Sequence, residues 1–107
     1  MADSSTISTR LISTTQYTTP STGTTVTAND TGNNTVIINP SGTLLALTLA
    51  LNGSPVDGDK INIAASQIVT TFTISGGTII GTLTTLAVAT FASYLYNASA
   101  SKWFRVG

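Results

Sequence analysis

Few side chains in this sequence could do chemistry, and their spacing does not gather them. General acid–base catalysis near neutral pH draws on His, Glu, Asp, Lys, Tyr or Cys held where their pKa can be tuned, and the chain has no His, Cys or Glu. Its four carboxylates are Asp3, Asp30, Asp57 and Asp59, and only the last two stand close together, in Asp57-Gly58-Asp59-Lys60. That stretch reads as a turn entering a strand. A calcium loop would need about six to eight oxygen ligands in an alternating acidic series closing on Glu, which the sequence lacks. Gly76-Gly77-Thr78-Ile79-Ile80-Gly81 has the glycines of a phosphate cradle, but neither Lys-Ser/Thr nor a helix follows, so it too reads as a turn. A serine nucleophile would have no His base and no Gly-x-Ser-x-Gly elbow, and nothing in the spacing supports pairing one with Lys60 or Lys102. No catalytic residue, metal ligand or cofactor is assigned, and the expectation is a chain that is not an enzyme.

The most site-like group is aromatic: Tyr94, Tyr96, Trp103 and Phe104, on what reads as the final hairpin. Aromatic side chains can stack on sugars or bases, but on a small β-domain they more often fill the core or a subunit interface. Strand alternation puts Tyr94 and Tyr96 on one face, Phe104 with Val106, and Trp103 with Arg105 on the face opposite Phe104. Large side chains on both faces imply burial from two sides, and so a neighbouring subunit. The four are expected in an oligomer interface or the core, with a glycan platform as the alternative.

The elements that must position them are short strands. Thr24 to Ala28, Thr35 to Asn39, Thr43 to Leu51, Lys60 to Ala64, Gln67 to Ser75, Thr78 to Ile80, Thr90 to Tyr96 and Lys102 to Val106 alternate or carry β-branched residues, and Gly, Pro, Asn and Asp clusters punctuate them. Period two predicts Leu45, Leu47, Leu49 and Leu51 on one face, Ile61 and Ile63 together, and Ile68, Phe72 and Ile74 together. No segment makes a helix of about ten residues. The expected fold is all-β, an antiparallel β-sandwich or jelly-roll-like barrel. Parallel pairing is set aside because parallel neighbours need long crossovers, usually helical. A faint repeat links Thr35 to Leu49 with Thr71 to Leu86.

Residues 1–30 differ in kind. They are dominated by Ser and Thr, and their few apolar residues cannot offset an ordering entropy of about 1 to 2 kcal/mol per residue. The expected organisation is an extended N-terminal arm over residues 1–30, shaped only by contact with neighbours, and a β domain over 31–107. Ile7, Leu11, Ile12 and Tyr17 are the arm's candidate anchors on a neighbouring subunit.

Charge is scarce: four cations, Arg10, Lys60, Lys102 and Arg105, balance the four aspartates for a net charge of zero. A nucleic-acid partner is not expected, since four scattered cations cannot form the basic stripe that neutralises phosphates. Nor is a membrane: the longest apolar run, Leu44 to Leu51, is far short of the roughly 20 residues of a spanning helix. The N-terminus shows no secretory pattern. With no cysteine for staples and a small prospective core, oligomerisation is the expected source of extra stability.

From about Thr43 to Gly107 the sequence resembles a β-domain that recurs in tailed-bacteriophage virion proteins, among them capsid decoration or cement proteins, head fibres and tail-fibre tips. The resemblance rests on Leu45-Ala46-Leu47-Thr48-Leu49, Ser54-Pro55-Val56-Asp57-Gly58-Asp59-Lys60-Ile61-Asn62-Ile63, Phe72-Thr73-Ile74 with Gly76-Gly77, and Tyr94-Leu95-Tyr96-Asn97 leading to Lys102-Trp103-Phe104-Arg105-Val106-Gly107. It implies a structural protein of the virion, often a homotrimer. A short arm without a repetitive shaft implies a phage-head cement protein, assembled in the host cytoplasm, whose partner is the major capsid protein. A receptor-binding module contacting host glycan is the second implication.

Overall fold

The computed structural model of the chain describes residues 13–29, 32–51 and 53–107. Among these residues there are nine strands and no helix: β1 (Ser13–Thr18), β2 (Thr24–Thr27), β3 (Asn33–Ile38), β4 (Leu44–Ala50), β5 (Lys60–Ala65), β6 (Val69–Ser75), β7 (Ile79–Ile80), β8 (Thr90–Asn97) and β9 (Lys102–Arg105). The all-β class follows from the sequence as expected, because Thr, Val, Ile and the aromatic residues together occupy most strand positions and the turn clusters divide them where anticipated.

The pairing does not follow that expectation. A six-stranded sheet has the order β1-β3-β5-β8-β9-β7 and a three-stranded sheet the order β2-β4-β6. β1 pairs with β3 and β3 with β5 in parallel, as do β2 with β4 and β4 with β6. Only β5–β8 and β8–β9 are antiparallel. The chain therefore winds as a β-solenoid-like arrangement, each coil laying one strand in each sheet. The crossover that parallel neighbours require is present without any helix: the strand of the opposite sheet and its turns carry the chain round. The repeating unit is strand-turn-strand over 13–27, 33–50 and 60–75, a frame different from that of the faint repeat in the sequence.

The core lies between the sheets. Val36, Ile38, Leu47, Leu49, Ile61, Ile63, Val69, Phe72, Leu86, Ala92, Tyr94 and Trp103 are buried there. Ile61 and Ile63 point inward together as their spacing requires. β4 and β6 depart from strict alternation at matching places: Leu44 and Leu47 are buried while Leu45 is exposed, and Val69 and Phe72 are buried while Ile68 is exposed. Two successive N–H groups, of Leu45 and Ala46, converge on Thr22 Oγ1 at 3.1 Å each, so the side-chain alternation skips a step between them.

The two ends of the winding differ. At the C-terminal end the outer edge of β6 is closed by residues 84–86, through Phe72 N–H to Thr84 O (2.7 Å) and a reciprocal pair between Val69 and Leu86 (2.9 and 3.0 Å). At the N-terminal end the inward positions turn polar. Thr14, Gln16 and Thr18 of β1 sit in register on Asn34, Val36 and Ile38 of β3. Asn34 is fully buried; its Nδ2 donates to Gln16 Oε1 (3.1 Å) and its Oδ1 accepts from Thr14 Oγ1 (2.8 Å). Gln16 also donates through Nε2 to Thr27 O (2.6 Å) and accepts from Asn29 N–H (3.1 Å). These bonds tie β1 to β3, to the last residue of β2 and to the chain just after it.

This corrects the extent of the N-terminal arm. Residues 13–29 are the first coil of the fold, not a strap shaped by neighbours, and their Ser/Thr-rich makeup is what a terminal coil can carry, because only one of its sides faces the core. Ile7, Leu11 and Ile12 lie outside the described residues.

Candidate functional site

The aromatic hairpin is built by β8 and β9. Register sets Tyr94 opposite Arg105 and Tyr96 opposite Trp103 on the inner face, and Leu95 opposite Phe104 on the outer. Trp103 and Tyr94 are buried, and the Tyr96 ring lies 5.2 Å from that of Trp103, tilted by 53°. The indole fits because Gly77 offers no side chain: a Cβ there would stand 3.2 Å from Trp103 Cδ1 and 3.4 Å from Leu51 Cδ1. Trp103 N–H donates to Thr78 O (2.9 Å), fixing the short β7 beside β9. Burial raises the pKa of Tyr94 above its ordinary value, while the Arg105 charge and a backbone hydrogen bond from Leu83 pull it back down.

Of the four aromatic residues, Tyr94 and Trp103 thus belong to this chain's own core, so the large inner face of the hairpin calls for no second subunit. The Trp103 indole is not available to stack on a sugar. Phe104 faces outward and is half-buried.

The two close carboxylates fasten turns. Asp59 Oδ2 accepts from Val56 N–H (2.9 Å) and Asp57 Oδ1 accepts from Ala98 N–H (2.8 Å), docking the 54–59 turn on the β8–β9 hairpin. Gly58 N–H to Tyr96 O and Tyr96 N–H to Asp59 O complete that junction. Among the described residues no three His, Cys, Asp or Glu gather as metal ligands, and no pocket opens.

What the fold does assemble is the outer face of the six-stranded sheet. One row across it is Tyr17, Ile37, Ala64 and Phe91; the next is Thr15, Thr35, Asn62 and Ser93; the third is Ser13, Asn33, Lys60, Leu95, Phe104 and Ile80. Val106 stands beside Ser93, its N–H donating to Ser93 O (2.8 Å). Tyr17, Phe91, Leu95, Ile80 and Val106 are all exposed. The polar row between them is bonded sideways: Ser93 Oγ donates to Asn62 Oδ1 (2.7 Å), and Asn62 Nδ2 donates to Asn33 Oδ1 (3.0 Å) and Thr35 Oγ1 (3.2 Å). Of the anticipated site residues, Tyr17 and Phe104 fall on this face. Phe91, Leu95, Ile80 and Val106 were missed, although Phe91-Ala92-Ser93-Tyr94-Leu95-Tyr96 is apolar in both strand phases apart from Ser93.

Fold and face together define a β-solenoid-like chain with polar terminal packing and an apolar sheet surface that nothing in the chain covers among the described residues. No family model matches the sequence, and none of the curated proteins matches it.

Proposed function

We propose that this chain is a structural protein of a phage virion, a capsid decoration protein that binds and stabilises the assembled head as a homo-oligomer, most simply a trimer. The observation that carries this is the pairing of a charge-poor β-body with an exposed apolar face, while Asp57 and Asp59 fasten turns and Tyr94 and Trp103 lie in the core. The resemblance of residues 43–107 to phage virion β-domains supplies the setting. Binding only the assembled shell stabilises that shell by mass action, and many linked copies need only modest affinity each.

Contact with the major capsid protein through a strap is confined in this proposal to residues 1–12, with Ile7, Leu11 and Ile12 as anchors, because residues 13–29 are committed to the body. The test is cryo-electron microscopy of purified particles together with co-sedimentation of the full chain and a chain lacking residues 2–12. The expected result is symmetric density on the head and binding lost by the shortened chain. Density on the tail only, or shells that sediment without the chain, would overturn the proposal.

A further inference from the structure

From the outer face of the six-stranded sheet we infer that copies of this chain associate through that face, burying Tyr17, Phe91, Leu95, Phe104, Ile80 and Val106 against one another. The inference gives a surface to the self-association in the proposed function, and it can fail without that proposal failing.

Area is the first support. Tyr17 is 79% exposed, Phe91 56%, Val106 54%, Ile80 43% and Leu95 39%. With an aromatic side chain presenting about 200 Å² and an aliphatic one somewhat less, these five leave on the order of 450 Å² of apolar surface in water. A stable interface covers about 800 Å² per partner, of which a little over half is apolar, so the face supplies the apolar share of one standard interface.

The second support is the polar row. A face that is to be covered must not strand hydrogen-bonding groups, and here Ser93, Asn62, Asn33 and Thr35 bond laterally to one another. Covering them removes little that water alone was satisfying. Charge is the third. The cations on outward positions of this sheet, Lys60 and Lys102, both stand at the end where β8 leads into β9, and no carboxylate stands on those positions among the described residues. Identical copies can meet over these rows with Lys102 beyond the third row and the stem of Lys60 within it, its ammonium able to snorkel toward that end, whereas a partner recognised by charge would find little to read.

The test uses the full chain in solution. Light scattering on size-exclusion chromatography is expected to show a multiple of the chain mass for the wild type and a single chain for Phe91→Asp/Leu95→Asp, with the far-ultraviolet spectrum unchanged. A monomeric wild type, or a double variant that is folded and still associated, overturns the inference. Because the chain has no cysteine, single substitutions give a second reading that is independent of the double variant's folding. Alkylation of Thr35→Cys should slow as concentration rises while that of Leu45→Cys, on the other sheet, does not. Equal behaviour of the two overturns the inference. An oligomer that coats heads and keeps its mass in Phe91→Asp/Leu95→Asp would sink this inference alone; an oligomer whose mass falls in that variant but that is indifferent to heads would sink the proposed function alone.

Discussion

Replacing Gln16 by alanine removes the acceptor for Asn34 Nδ2 and Asn29 N–H and the donor to Thr27 O. Asn34 has no exposure, so its amide loses a partner that water does not readily replace. Leaving such a group unpaired costs about 1 to 3 kcal/mol, and the two bonds nearer solvent add at most a few tenths each once water takes them over. The expected loss is about 2 kcal/mol, which for a chain of this size lowers Tm by roughly 9 °C. Urea unfolding should show the midpoint shift with an unchanged slope. Asn34→Leu in the same background should recover much of the loss, because the orphaned amide then disappears. If Gln16→Ala shifts stability no more than Thr25→Ala on the exposed side of β2, the polar packing does not close the end of the core and residues 13–29 are not part of the body.

Gly77→Val should destabilise by about 1 to 3 kcal/mol through overpacking against Trp103 and Leu51, and fluorescence of the sole tryptophan should shift to longer wavelength. In a chain carrying Tyr17→Phe and Tyr96→Phe, phenolate absorbance should report Tyr94 ionising above its ordinary value of 10.0, and Arg105→Gln should raise it further, since that charge pulls it down. The sign for stability follows: the fold holds the Tyr94 proton more tightly than the unfolded chain, so this contribution is intact below pH 10.0 and is lost as pH climbs from there through the raised value. A Tyr94 titrating at or below the ordinary value would contradict its burial. Deleting residues 2–12 should leave the melting temperature of the body within a few degrees, whereas deleting 2–20 removes β1, uncovers Val36 and Ile38 and should abolish the cooperative transition; equal melts for the two deletions would contradict the first coil.

How much of this was legible in the sequence depended on what each residue reports. Ile61 and Ile63, the Asp57-Gly58 turn and the Tyr94–Trp103 hairpin were readable because local alternation and turn chemistry decide them. Parallel pairing was not, since Val36 alternates with its neighbours in the same way whether its partner strand runs with it or against it. Thr14, Gln16 and Thr18 concealed a strand because the end of a winding needs no apolar filling, and composition therefore resembled a tail. Leu45 was assigned inward on period two, and the step at Thr22 turned it outward. The outer face was half visible: Phe104 with Val106 on the face opposite Trp103 marked the hairpin as two-sided, but only the register β1-β3-β5-β8 brings Tyr17 into the same row as Phe91.

The most direct measurement of the central claim, that residues 13–29 are wound into the body by the chain itself, is amide hydrogen exchange on dilute Phe91→Asp/Leu95→Asp protein, where association through the outer face is removed. Gly23 N–H and Ala28 N–H donate to Ala46 O and Ala50 O at 2.8 Å, and both should exchange orders of magnitude more slowly than in an unstructured peptide. Exchange at free-peptide rates at both amides, with β5 still protected, would contradict it.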